Sequence, residues 1–235
     1  MKVLVVNDDG IKAEGLKVLI RHLEKVADVY VVAPLHEQSA KSHSITIKQL
    51  FEIVKYDDRT YAVNGTPADC VKFGVHQFGN DFDVVFSGVN DGPNLANDIF
   101  YSGTVAGASE AVFNGMPGVA ISCGHKEDFD LVERELDMLI QYVFKNKLYR
   151  KDVALNINFP AKKYQKSLGI KFTKQGNRDF SNTFIEEKNG YRNIYEVAQS
   201  THDEDTDMHA NLNGYISITP LIMNRTDHDY LKTAK

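Results

Sequence analysis

Apolar residues recur along the chain in short blocks, and each block ends on a polar or glycine-rich loop. The first is Val3 to Val6, too short for a helix and mostly β-branched. It reads as a strand buried on both faces, as in a parallel sheet. It stops abruptly on Asn7-Asp8-Asp9-Gly10. Leu16, Leu19, Ile20 and Leu23 then repeat at helical spacing and predict an amphipathic helix over about residues 14–25. Residues 28–34, ending on Pro34, read as a second buried strand. Strand, helix and strand in this order form a βαβ unit with a right-handed crossover.

Pro34 opens a polar loop that carries Ser39, Ser42, His43 and Ser44. The β-branched runs 45–54 and 60–63 predict an antiparallel excursion from the main sheet. Thr66 as N-cap with Pro67 behind it opens a helix reaching about His76. Residues 82–87 form a third buried strand, which breaks into a loop holding Asn90, Asp91, Asn94, Asn97 and Asp98. Ser102 caps a small-residue helix over about 105–114, with Gly115 as its stop. A fourth strand at 118–122, a helix at 127–146 and a fifth strand at 153–159 follow, and Asn156 and Asn158 of that strand share one face. Beyond Ala161 the pattern weakens to strands at 170–173, 193–198 and 215–219. The polar segments 176–193 and 200–214 read as loops or an extended hairpin used in oligomer contacts. Within them, residues 202–209 read as a solvated acidic turn rather than a metal cluster, because nothing apolar nearby would exclude water.

Composition narrows the class without naming a reaction. A chain of 235 residues, 43% hydrophobic and 25% charged, suffices for one large α/β domain or a domain with an excursion. A net charge of -5 and a pI near 5.9 argue against a nucleic-acid polymer as partner. No apolar run approaches the ~20 residues of a membrane span, and the first residues enter a strand with no signal-peptide pattern. A cytoplasmic protein is expected, with Cys70 and Cys123 as buried free thiols rather than a disulfide.

Chemistry concentrates in the loops after the strands. Asp8 and Asp9 follow a central strand at the edge where open α/β sheets bind ligands. Adjacent carboxylates repel, and a divalent cation removes that cost. A plain Asp-Gly turn is the competing reading. Ser39 lies after the second strand and is either a hydroxyl ligand, a phosphate donor or a solvated loop serine. Ser102-Gly103-Thr104 opens a helix whose N–H groups and dipole suit an anion. An ordinary capped helix would look the same. The sequence GxxxxGK[ST] is absent, so a monophosphate fits better than a P-loop nucleotide.

Five ordered blocks resemble the survival protein SurE family of nucleotidases. They are VNDDG at 6–10, APLHEQSAKSHSIT at 33–46, VNGTPADCV at 63–71, SGVNDGPNLANDIFYSGTVAGASEA at 87–111 and GYISITPL at 214–221. The resemblance implies one SurE-like domain: a Rossmann-like three-layer α/β core with a mostly parallel sheet over about 1–160, and a β-hairpin, C-terminal arm and closing strand over about 161–235. It implies homodimers or dimers of dimers. It implies hydrolysis of nucleoside 5′-monophosphates, of 3′-monophosphates and of short polyphosphate, with one divalent cation per subunit. Carried over by motif, the metal ligands are Asp8, Asp9, Ser39 and Asn90, and the phosphate pocket is Asn94, Ser102, Gly103 and Thr104. Two departures stand out. Ala40 replaces the usual glycine after the ligand serine, and residues 177–196 lack the family's frequent Asp-Pro-Arg-Gly and Trp features.

That donor set is all hard oxygen, which suits magnesium or manganese. The expected route is direct attack by a metal-activated water, with Asp8 and Asp9 as the catalytic pair and one of the two, Asp8 in preference to Asp9, orienting or deprotonating the water. A covalent aspartyl-phosphate route would call for DxDx[TV] after the first strand, where Gly10 follows instead. A response-regulator receiver would need a phosphoacceptor Asp where the third strand ends in Ser87-Gly88.

Overall fold

Val3 and Val5 point to one face of the sheet and Leu4 and Val6 to the other, and all four are fully buried. A strand covered on both faces has no polar side to show, which is why its sequence runs apolar without alternation. The protein is described here from a computed structural model covering residues 1–124, 129–160, 163–180, 183–194, 197–201 and 203–233. The elements run β1 (Lys2–Val6), α1 (Glu14–Leu23), β2 (Asp28–Pro34), β3 (Ile53–Lys55), β4 (Thr60–Val63), α2 (Pro67–Phe78) and β5 (Val84–Asn90). A 3-10 turn (Ala96–Phe100) leads to α3 (Gly103–Phe113), β6 (Gly118–Ser122), α4 (Asp130–Lys145) and β7 (Val153–Asn158). The rest comprises β8 (Ile170–Phe172), β9 (Asn177–Phe180), β10 (Thr183–Glu187), β11 (Gly190–Ile194), β12 (Val197–Thr201), α5 (Asp207–Leu212), β13 (Ile216–Ile222) and α6 (His228–Thr233).

Nine strands form one sheet in the order β3-β4-β2-β1-β5-β6-β7-β13-β8. From β4 to β7 every neighbouring pair is parallel, while β3 and β13 join antiparallel. Helices α1 and α4 pack together on one face and α2 and α3 on the other, giving three layers. The chain winds outward from β1 to β2 and β4, then returns to β5 on the other side of β1. The switch point therefore lies between the carboxyl ends of β1 and β5, where a crevice opens in a doubly wound sheet.

Two expectations are corrected. The run 45–54 is a strand only at its end, and β4 continues the main sheet in parallel with β2. Ile47 and Leu50 are exposed, and the loop is drawn to the start of α2 instead. Thr46 N donates to Asp69 Oδ1 at 2.9 Å, and Thr66 Oγ1 donates to Ser44 O at 2.7 Å. Asp69 and Thr66 also form the capping box of α2. The second correction concerns residues 202–209. Asp203, Glu204 and Asp205 are exposed, as a solvated turn should be, but Thr206 and Asp207 are buried and start α5. The segment 176–193 is an extended arm: β10 and β11 form an antiparallel hairpin, and β9 pairs with β12. Residue 202 and the expected helix start at 127 lie outside the described residues. Cys70 and Cys123 are both buried, and neither is in a disulfide.

Candidate active site

The turn after β1 is built from its own side chains. Asn7 Nδ2 donates to Gly10 O at 3.0 Å, and Gly10 takes φ +101, a conformation open to glycine. Ile11 N donates to Pro34 O and Gln38 N to Asp8 O, at 2.8 and 2.7 Å. The loops after β1 and β2 are thereby stitched together at the sheet edge.

Asp8 is buried and Asp9 half-buried, and both line a cleft of about 850 Å³. Thr104, at the first turn of α3, holds its hydroxyl against Asp8 Oδ1 and within 3.1 Å of Asn90 Oδ1. Asn90 Nδ2 donates to Gly92 O at 2.7 Å, which turns the amide oxygen toward Thr104. Asp91 N donates to Asp9 Oδ2 at 3.1 Å. Three loops, after β1, after β5 and at the start of α3, thus meet around two carboxylates and one amide oxygen. Burial pushes the Asp8 carboxyl up to about 7, reinforced by the neighbouring charge of Asp9 and opposed by the Thr104 hydroxyl. A carboxyl that resists ionisation in this way is one that a neighbouring cation would relieve.

The predicted phosphate residues divide. Ser102 lines the cleft and caps α3 by accepting from Val105 N at 3.0 Å. A side chain at Gly103 would place Cβ 2.9 Å from Asp8 Cβ, so only glycine lets the helix start approach the acid this closely. The Thr104 side chain is fully buried and committed to Asp8 and Asn90. Asn94 lines the cleft but is pinned from below. Its N donates to Asn158 Oδ1 at 2.7 Å, its O accepts from Asn156 and Asn158, and its Nδ2 donates to Ser122 at 2.8 Å. The paired asparagines of β7 are the platform for this loop.

Ser39 lines the same cleft and is exposed, with its hydroxyl donating to Glu37 Oε1 at 2.6 Å. The residue after it, Ala40, adopts φ +56. A Cβ in the left-handed region costs about 1–2 kcal/mol, a cost glycine avoids. Ala40→Gly is therefore expected to raise the melting temperature by roughly 2–4 °C, read by thermal denaturation. An unchanged or lower melting temperature would show that the strain is offset elsewhere.

Reading the sequence missed three residues here. Arg178 of β9 lines the cleft, Asp98 pairs with it at 2.8 Å, and Asp207 accepts the Ala96 and Gly176 N–H groups, both at 2.9 Å. Arg178 and Asp207 lie in the weakly patterned part of the chain, where no periodicity predicts which side chains return to the core.

Known proteins resemble this chain over nearly its full length. The family model described as Survival protein SurE matches residues 3–182. A protein of Syntrophomonas wolfei named 5′-nucleotidase SurE is 38% identical over 241 residues, covering 97% of this chain and 91% of its own. One of Petrotoga mobilis with the same name is 37% identical over 249 residues, covering 100% and 98%. The crystal structure of the SurE protein from Aquifex aeolicus superposes with a TM-score of 0.86 at 36% identity, covering 99% of this chain and 98% of that one. With the family model spanning most of the chain and full-length relatives sharing more than a third of its residues, this chain belongs to the survival protein SurE family.

Proposed function

We propose that this chain is a divalent-cation-dependent phosphatase of nucleoside monophosphates. The observation that carries the reading is the meeting of Asp8 and Asn90 Oδ1 at the Thr104 hydroxyl, with Asp9 lining the same open cleft at the switch point. The curated relatives' name, 5′-nucleotidase, supports the 5′-monophosphate as substrate. The 3′-monophosphate and short polyphosphate are further substrates expected on the family resemblance.

The donor set fits a hard cation. Asp8, Asp9, Asn90 and Ser39 offer only oxygen, and no cluster of three His, Cys, Asp or Glu side chains is found among the described residues. Magnesium or manganese suits such a set, since both keep water in their shells. A cation bound there would polarise the phosphoryl group and lower the pKa of a ligated water. The protein's own groups do the rest. Asp8 takes the proton of the attacking water, and Thr104 holds the Asp8 carboxyl in place. The start of α3 at Ser102-Gly103, at the positive end of this 11-residue helix, receives the non-bridging oxygens as charge builds on them, while Thr104 is taken by Asp8. Asn94 and Ser102 complete the wall of the phosphate pocket. In the arm, Phe184, Ile185 and Tyr191 are exposed, which supports assembly into homodimers or dimers of dimers.

The test is phosphate release from a panel of 5′- and 3′-nucleoside monophosphates with manganese, magnesium or EDTA. Wild type is expected to be active with metal and silent in EDTA, and Asp9→Asn to lose at least about 100-fold in rate. Turnover that survives both EDTA and Asp9→Asn would overturn the metal-site reading.

A further inference from the structure

Acids surround the proposed metal pair. Glu14, Glu37, Asp91 and Asp98 line the same cleft as Asp8 and Asp9. A phosphate monoester arrives as a dianion, and one divalent cation on two carboxylates leaves no surplus positive charge to offset that rim. Among the described residues lining the cleft, one side chain is a cation: Arg178.

Arg178 comes from the arm, and the arm is tied to the cleft beside it. Asn97 Nδ2 donates to Asn177 Oδ1 at 2.8 Å and to Arg178 O at 2.9 Å. The guanidinium donates through Nη1 to Asp98 Oδ2 at 2.8 Å, with the two side chains 19% and 17% exposed. Its Nε is buried and has no partner. Arginine carries five donors in a planar fork, so a single carboxylate contact at Nη1 fixes the plane and leaves most of the fork unused.

We propose that Arg178 is the cationic anchor for the substrate's phosphate group, with Asp98 setting its orientation. The assignment rests on the phosphatase reading above and adds the arm to the binding machinery. Asp98 holds Nη1, and the Nη2 donors bind non-bridging phosphate oxygens opposite the helix start. The rival role is mechanical: the Arg178–Asp98 pair as a strut that docks the arm.

The experiment titrates inorganic phosphate into the manganese-loaded protein by calorimetry and measures KM and kcat for a nucleoside 5′-monophosphate. Arg178→Gln is expected to weaken phosphate binding and raise KM by about 10–100-fold, the loss of one charge-assisted contact, with a smaller change in kcat. Arg178→Lys should recover part of the affinity, because an ammonium keeps the charge but not the fork. Asn97→Ala is the control. It breaks both bonds that Asn97 makes to β9 and leaves the guanidinium and its bond to Asp98 intact. If Asn97→Ala weakens phosphate binding as much as Arg178→Gln, or if Arg178→Gln leaves it unchanged, the proposal is overturned. Wild type that releases no phosphate from monophosphates would defeat the phosphatase reading, and the calorimetric series would still decide the role of Arg178.

Discussion

Replacing Asp8 with asparagine is expected to lower the rate of phosphate release by roughly 10³-fold at saturating substrate and manganese, the size of effect that losing a positioned proton acceptor brings. The side chain is buried against Thr104 at the end of β1, so the amide keeps the shape of the site and removes only charge and basicity. Stability should move the other way. The folded Asp8 carboxyl lies at about 7, above its ordinary 3.8, so between these values the folded protein binds more protons than the unfolded chain. Metal-free protein therefore loses stability from this group as pH rises from about 4 to 7. Asp8→Asn removes that dependence. Denaturation of the metal-free proteins at pH 5 and pH 8 checks the point: the wild-type difference should shrink in the variant while activity collapses. A variant that keeps its rate would remove Asp8 from the chemistry.

The second large effect is expected far from Asp8 in sequence. Asp207→Ala should destabilise the protein by about 3 kcal/mol and reduce activity in parallel. Asp207 has no exposure and accepts N–H groups from Ala96, Gly176 and Met208. Each of these donors left buried without a partner costs about 1–3 kcal/mol. The site suffers because Ala96, at φ +51, begins the 3-10 turn that carries Asp98 and leads to Ser102, while Gly176 precedes Arg178. One carboxylate thus ties the phosphate loop, the arm and α5 together. Burial pushes its carboxyl up, against the pull of those three N–H groups. Asp207→Asn keeps the shape and one acceptor oxygen, so it should lose less stability than Asp207→Ala. Chemical denaturation of the two variants beside wild type measures the difference, and equal losses would show that the hydrogen bonds contribute little.

The place of the candidate site was legible because it sits at strand ends. Asp8 and Asp9 follow β1, Ser39 follows β2, and parallel strands bring their carboxyl ends to one edge without further information, whereas Asn90 entered as a candidate ligand through the family resemblance. Ser102 announced a helix start by its own capping chemistry. Residues 45–52 misled for a definite reason. Their β-branched composition predicts strand, yet Asp69 takes the Thr46 N–H and so competes for the backbone. The acidic run 202–209 misled for another. Its charges suggest solvent, and nothing local reveals that Asp207 alone of its acids turns inward to meet the N–H groups of Ala96 and Gly176 brought from elsewhere.

The amino-acid sequence by itself determined the parallel core and the loops that bear the acid pair, because period, capping and strand-end position are local properties. Only the tertiary structure decided which side chains face each other across the cleft. Thr104 reaches back to Asp8, Asn94 stands on the two asparagines of β7, and Arg178 enters from an arm of polar sequence. Those contacts join residues distant along the chain, and their energies depend on burial and approach, which no local pattern encodes.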